Sequence, residues 1–238
     1  MTTEQDVTDL DEDTAETAAP RRAGSRVLVY VAAALALLLV GAAAGMLVTR
    51  AADDEAGVPG LASVDVGFCQ DMRFHHQQAV TMATIAGGRS SDTLVRALAY
   101  DIEGGQIAQI GMMSGWLELW ERPAYAEQGK HMTWMPADQR HGTHGDAGGV
   151  RVMPGMATQD ELARLRSLSG REFDVFFLQL MLRHHQGGLP MAKYAAEHAA
   201  IAVVRNLANK IVKAQTHDMR VITAMLDERG AQPLPAPS

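Results

Sequence analysis

The sequence predicts an all-α protein: a four-helix bundle made of two copies of one helical hairpin, preceded by a single apolar helix. Three observations support this prediction. Aromatic residues make up only 5% of the chain, which is rich in alanine, leucine and methionine, and this composition favours helices over sheets. An uncharged run of 22 residues lies near the N-terminus. A segment in the middle of the chain recurs 109 residues later.

The N-terminal region predicts a membrane anchor. Residues 27–48 carry no charge and exceed the roughly 20 helical residues that cross a bilayer. Arginines 21, 22 and 26 precede this run, so the basic bias places the N-terminus in the cytoplasm and the rest of the chain outside the cell. A cleaved signal sequence is the alternative, although its apolar core is usually shorter. The protein is therefore expected at the cell membrane, with a single membrane pass.

The charge distribution limits the classes of molecule that the protein is expected to bind. The net charge is -7, but the first 20 residues alone contain seven acids and no base, so the remainder is close to neutral. Residues 1–26 are predicted to form an acidic, disordered cytoplasmic tail, and residues 49–60 a tether. Nucleic acid is not expected as a partner, because the chain after the acidic tail has no excess of positive charge. Cys69 is the only cysteine, which excludes an internal disulfide.

The internal repeat defines the folded region. Residues 65–83 match residues 174–192 at ten of nineteen positions, where chance would give roughly one match. The same offset aligns residues 95–106 with 204–215, so a unit of about 55 residues is duplicated. We predict a bundle over residues 61–230. It consists of a first repeat (61–121), a connecting loop (122–157) and a second repeat (158–230), followed by a flexible tail (231–238).

Each repeat has the apolar period of two helices. In the first helix, residues spaced alternately by three and four form one seam: Asp65, Phe68, Met72, His75, Ala79 and Met82. The following helix has the same pattern in Leu98, Ile102, Gln106, Gln109, Met113 and Trp116, and the second repeat reproduces both. Start signals agree, because Asp92 opens the second helix. Thr158 with Glu161, and Ser169 with Glu172, predict two capping boxes.

The duplicated histidine pairs are candidate metal ligands. Adjacent residues on a helix point about 100° apart, so His75 and His184 are expected on the central seam, and His76 and His185 towards a neighbouring helix. Imidazole with thioether suits reduced copper or silver, whereas imidazole with carboxylate suits zinc, oxidised copper or iron. The predicted ligand set adds the residues around each pair: Met72, Met82, Met181, Met191, Asp65 and Asp174.

Two further groups bear on this hypothesis. Four residues of the partner helices are expected to accept hydrogen bonds from the imidazoles: Gln106, Gln109, Gln215 and Asp218. These bonds would either support a metal ligand or form a purely structural network. The connecting loop offers a second candidate metal site, for which a flexible surface segment is the alternative. Its residues are His131, Met132, Met135, His141, His144, Met153 and Met156.

The motifs around the histidine pairs resemble a known family. The segments from Phe68 to Ala83 and from Phe173 to Ala192, with Met153-Pro-Gly-Met156 between them, are similar to the bacterial family called domain of unknown function 305. The resemblance covers roughly residues 61–228. It implies a ferritin-like four-helix bundle, and some members, the CopM-type proteins, are exported copper binders.

This chain departs from the family pattern at two positions. Gln186 stands where an acid often follows the second histidine pair, and Gln109 stands where the partner helix often has glutamate. These changes weaken carboxylate ligation. Asp218 keeps an acid in the second half, so the two halves are not expected to bind metal equally.

Three functional hypotheses follow. The leading one is an exported, membrane-anchored module that sequesters or delivers a copper ion through histidine and methionine ligands. The second is a structural or interaction domain whose histidine-glutamine network holds no metal. The third is a ferritin-like di-metal oxidase, which ordinarily needs Glu-x-x-His motifs that are absent at these histidines. The chain has no nucleophile motif or phosphate-binding loop, so a binding protein is predicted rather than an enzyme. The physiological metal, the protein partner and assembly into a homo-oligomer stay open.

Overall fold

The computed structural model describes residues 23–55, 57–127, 130–140 and 148–235, with side chains in the first helix for residues 28–46. The predictions for residues 1–22, His141 and His144 lie outside the described residues. The chain divides into two compact units, residues 1–55 and 56–238. The fold class is as predicted: the described residues form helices and no named strand.

The N-terminal unit contains one helix, α1 (Ala23–Glu55). Its segment Leu28–Met46 has the length and the apolar composition needed to cross a membrane. An N-terminal signal sequence has the same properties, so length and composition identify a signal or an anchor without choosing between them.

The described residues of the second unit form five α-helices. They are α2 (Val64–Arg89), α3 (Thr93–Leu119), α4 (Gln159–Ser167), α5 (Gly170–His198) and α6 (Ala202–Glu228), with a short 3₁₀ turn at Ala137–Gln139. The pairs α2/α3 and α5/α6 are the two predicted hairpins, and they meet mainly through α2 and α5. The helix α4 is an addition that precedes the second hairpin and packs against α5.

The helix starts follow the sequence signals at most positions. Asp92 accepts hydrogen bonds from the backbone amides at the start of α3, and Thr158 with Glu161 forms the predicted capping box of α4. The capping box predicted at Ser169 is wrong, because its side chain makes no capping hydrogen bond. Gly170, the next residue, adopts a left-handed φ of +58°, so the chain enters α5 in a geometry that a capping box does not use.

The core of the bundle consists of two apolar clusters. One contains Met82 and Met181, and the other contains Met72 and Met191. Each cluster therefore takes one methionine from the early part of one helix and one from the late part of the other, which shows that α2 and α5 run antiparallel. All four methionines are fully buried, which stabilises the fold by roughly 1.5 to 3 kcal/mol for each side chain. The histidine pairs lie between the two clusters.

Candidate metal centre

The four duplicated histidines lie together in the middle of α2 and α5 and are completely buried. The rings of His75 and His184 face each other, with 3.8 Å between their centroids and 35° between their planes. Because these residues occupy equivalent positions of two antiparallel helices, they meet on the approximate two-fold axis of the repeat. The ring centroids of His184 and His185 are 6.3 Å apart. The helical seam read from the sequence thus forms an imidazole layer, defined as His75, His76, His184 and His185.

Each ring of the imidazole layer bonds an oxygen through Nε2. His75 Nε2 donates to the carbonyl of Pro154 at 3.1 Å, and His184 Nε2 donates to the backbone carbonyl of His75 at 3.1 Å. The outer rings bond the partner helices, with His76 Nε2 to Gln109 Oε1 at 2.6 Å and His185 Nε2 to Asp218 Oδ2 at 3.1 Å. Carbonyl and carboxylate oxygens only accept, so Nε2 carries the proton in each ring.

The other nitrogen of each ring has no hydrogen-bond partner. All four Nδ1 atoms are buried and unpaired. A neutral imidazole that is protonated on Nε2 has a lone pair on Nδ1, and a buried lone pair without a donor is uncommon in folded proteins. The imidazole layer therefore contains four buried Nδ1 atoms without a partner, and a neutral imidazole binds metal ions through such a nitrogen.

Burial keeps three rings of the layer neutral. Removal from water lowers the pKa of His75 to about 4 and the pKa of His76 to about 3, and nearby imidazoles add to the effect. The pKa of His184 is lowered well below its ordinary value for the same reason. These rings stay unprotonated at neutral and mildly acidic pH, so protons do not compete for their Nδ1 atoms.

Two buried amides complete the layer. Gln106 Oε1 and both polar atoms of the Gln215 amide are buried without a hydrogen bond, whereas Gln109 and Asp218 hold the outer rings as described. The Gln215 amide lies beside His75, because a methyl group at Gly188 would come within 3.0 Å of the His75 ring and 3.2 Å of that amide. Of the four helix-partner residues predicted from the sequence, two thus bond the imidazoles and two leave polar atoms unpaired.

The structure does not gather every predicted ligand. The side chain of Asp65 accepts the backbone amides of Ala200 and Ile201 at the start of α6, and Asp174 accepts the hydroxyl of Ser90 before α3. Each aspartate is ten residues from its histidine pair, or about 15 Å along the helix. The four methionines belong to the apolar clusters on either side of the layer. Within the described residues, no group of three or more histidine, cysteine, aspartate or glutamate side chains is arranged around one metal position.

The described parts of the connecting loop, residues 130–140 and 148–157, pack against the bundle. Met132, Met135 and Met153 are buried in the apolar cluster of Met72, and Met156 is half-buried against it. The anchor of the loop is Asp71, which the sequence reading did not single out. Its carboxylate accepts His131 Nδ1 at 2.7 Å, the Met132 amide at 2.6 Å and Trp134 Nε1 at 2.8 Å. The available signal was a charge within the apolar face of α2, at the position where the second repeat has Leu180.

The matched sequence profile decides the family. The profile of the domain of unknown function 305, DUF305, matches residues 65–226. The chain belongs to the DUF305 family. A crystal structure of a DUF305 protein from Streptomyces coelicolor that is predicted to be secreted is similar at 41% identity. The alignment covers 74% of this chain and 99% of that one, with a TM-score of 0.65.

Other solved structures extend this comparison. A DUF305 fragment from Deinococcus radiodurans has 32% identity over 69% of this chain and 96% of its own, with a TM-score of 0.56. CopM in its Cu(I)-bound form has 22% identity over 69% of this chain and 96% of its own, with a TM-score of 0.53, so that likeness shows the fold alone. None of the curated proteins matches this DUF305 chain in sequence.

Proposed function

We propose that this DUF305 protein is an exported metal-binding module and that its metal is copper. The imidazole layer binds the ion through Nδ1 atoms, with thioethers of the adjacent methionines as further ligands. The carrying observation is the set of four buried Nδ1 atoms that have no partner while each Nε2 is bonded to an oxygen. A bound cation satisfies atoms that are otherwise expensive to bury.

The ligand types favour reduced copper. Neutral imidazole and thioether are ligands that select Cu(I), and carboxylates are the ligands that suit harder ions. The aspartates of the predicted set are engaged at the ends of the bundle, so Asp218 is the carboxylate bonded to this layer in the described residues. A site of two imidazoles and one thioether has only two histidine ligands. It is therefore compatible with the absence, in the described residues, of any group of three or more histidine, cysteine or acidic side chains around one position. The Cu(I)-bound and Cu(II)-bound structures of CopM support copper as the ion to test.

The location follows from the N-terminal helix. Residues 27–48 anchor the module in the membrane, and the bundle lies outside the cell, where it sequesters copper or delivers it. The apolar segment Leu28–Met46 and the similar protein predicted to be secreted support export. The arginines before the helix support an N-terminus in the cytoplasm.

Competition with a colorimetric Cu(I) chelator tests the proposal on the purified protein. The double variant His75→Gln with His184→Gln removes two Nδ1 lone pairs, while each new amide can still donate a hydrogen bond near the former Nε2 position. We expect stoichiometric Cu(I) binding to be lost in this variant. The control is His217→Gln, which changes an exposed histidine of α6 and should leave the affinity unchanged.

One observation favours a second function. Every Nε2 bond of the layer joins two segments of the chain, so the histidines also serve as structural connectors. If the protein binds no Cu(I), the domain of buried histidines and glutamines without metal becomes the leading function. If binding survives in the double variant and is lost when Met132 and Met135 are changed to leucine, the site lies in the connecting loop.

A further inference from the structure

The Met-Pro-Gly-Met motif forms a cover over the imidazole layer. We define residues 153–157 as the strap. The carbonyl of Pro154, in the strap, accepts a hydrogen bond from His75 Nε2. Gly155 has a left-handed φ of +79°, and a methyl group there would overlap the Arg183 carbonyl. A methyl group at Gly187 would overlap the Pro154 carbonyl. The strap therefore lies directly on the backbone of α5, and only glycine allows this approach at the two contact positions.

The far end of the strap is tied to α2. The side-chain amide of Gln78 donates to the Ala157 carbonyl at 2.9 Å and accepts the Ala157 amide at 2.6 Å. The strap thus spans from α5 to α2, the two helices that carry the histidines. It crosses the layer at His75.

The remaining partners of the four rings belong to long helices. His76 and His185 bond α3 and α6, and His184 bonds the backbone of α2. Moving any of these helices away from the layer would expose the apolar clusters, which contain many fully buried side chains. Lifting the strap breaks three hydrogen bonds and uncovers its four buried residues, whereas α3 alone has seven buried residues and the other long helices have more. Segments that are held by few buried contacts open at the lowest free energy.

We propose that the strap is the gate of the metal site: it must lift from α5 for a copper ion to reach or leave the imidazole layer. This inference rests on the proposed function. In the closed state the Pro154 carbonyl fixes the His75 ring through Nε2, and the strap excludes water and competing ligands. In the open state His75 loses that partner. The strap sets the rate of exchange, and the imidazoles set the affinity.

Two variants loosen the strap without touching a proposed ligand. Gly187→Ala places a methyl group where the Pro154 carbonyl lies, and Gln78→Leu removes both hydrogen bonds to Ala157. The matched control is Gly104→Ala in α3, where an added methyl group meets open space. Stopped-flow measurements follow the uptake of Cu(I) and its transfer to a chromophoric chelator in the purified protein.

A gate changes both rates together. We expect uptake and release to rise about tenfold in Gln78→Leu, because two lost hydrogen bonds lower the free energy of opening. Both rates should rise at least as much in Gly187→Ala, because its methyl group overlaps the Pro154 carbonyl, and the Kd should be unchanged in both variants. Wild-type rates in both variants would overturn the gate while leaving the metal site in place. Faster release with unchanged uptake would show that the strap contributes to Cu(I) affinity instead of controlling access, and would also overturn the gate. If Gly187→Ala does not fold, Gln78→Leu decides. Absence of Cu(I) binding in the wild type would overturn the proposed function itself.

Discussion

The two repeats have the same imidazoles but different surroundings. In the first repeat the outer ring, His76, bonds the neutral amide of Gln109, and in the second repeat its equivalent, His185, bonds the carboxylate of Asp218. The inner rings differ too, because His184 bonds the backbone of the opposite helix whereas His75 bonds the strap. The duplication has thus kept the position of every ring and the nitrogen that it uses for bonding. It has changed the charge beside one ring and the cover above another.

A second difference lies one turn before the histidines. Asp71 of α2 anchors the connecting loop, whereas its equivalent, Leu180 of α5, is part of the apolar cluster of Met181. The first repeat therefore holds the loop, and the second repeat holds α4 through the ion pair of Arg183 with Glu161. The two hairpins therefore differ in the segment that these charged residues hold. Four predictions test this comparison.

Replacing Asp71 with the residue of the other repeat should have the largest effect. In Asp71→Leu the side-chain donors of His131 and Trp134 and the Met132 amide lose their acceptor in a buried setting. We expect the free energy of unfolding to fall by about 3 to 5 kcal/mol, as measured by urea denaturation. Asp160→Ala, at an exposed position of α4, is the control. A loss below about 1 kcal/mol would show that the loop is held without Asp71.

Acid should destabilise the metal-free protein through the imidazole layer. The folded pKa values of His75 and His76, about 4 and 3, lie below the unfolded value near 6.5, so the unfolded state takes up protons first as the pH falls. Their contribution to stability is complete above pH 6.5 and decreases below it. Between pH 7 and pH 5 each ring should remove about 2 kcal/mol from the free energy of unfolding, and His184 acts in the same direction.

The share of His76 in the pH effect can be measured separately. Urea denaturation at several pH values gives the free energy of unfolding as a function of pH. This free energy should decrease less between pH 7 and pH 5 in His76→Gln than in the wild type, because one of the titrating rings is absent. Equal slopes in the two proteins would contradict the assignment to His76.

Exchanging the outer partners should change metal affinity. A carboxylate behind an imidazole raises its basicity as a ligand, so Asp218→Asn should weaken Cu(I) binding by roughly tenfold if His185 binds the ion. Gln109→Glu introduces the carboxylate in the first repeat and should strengthen binding. Chelator competition measures both effects. Changes of opposite sign in the Cu(I) affinity of the two variants would support equivalent roles of His76 and His185. An unchanged affinity in both variants would show that these two rings do not bind the ion.

The smallest expected effect concerns the start of the two equivalent helices. Ser63 accepts the amide of Val66 at the start of α2, whereas Ser169 makes no capping hydrogen bond at the start of α5. Ser63→Ala should therefore cost about 1 kcal/mol in thermal denaturation, and Ser169→Ala should be nearly neutral. Equal losses in the two variants would indicate that Ser169 caps α5 in solution.

The sequence by itself determined the helices, the duplication and the inward position of the histidines. These features depend on residues three, four and 109 positions apart, and the periods of a helix and of a repeat can be read directly from the chain. The capping box at Thr158 was predictable for the same reason, since both of its members lie within one turn.

Only the tertiary structure decided which partners the site residues have. The bond from His75 to Pro154 joins residues 79 positions apart, and the bond from Asp71 to Trp134 joins residues 63 positions apart. No local period specifies such pairs, because they depend on how a non-repetitive loop folds back on the helices. The same holds for Asp65 and Asp174, whose duplication suggested ligands and whose contacts lie in the turn of the opposite hairpin. Spacing along a helix fixes the direction of a side chain, and the packing of other segments fixes what it meets.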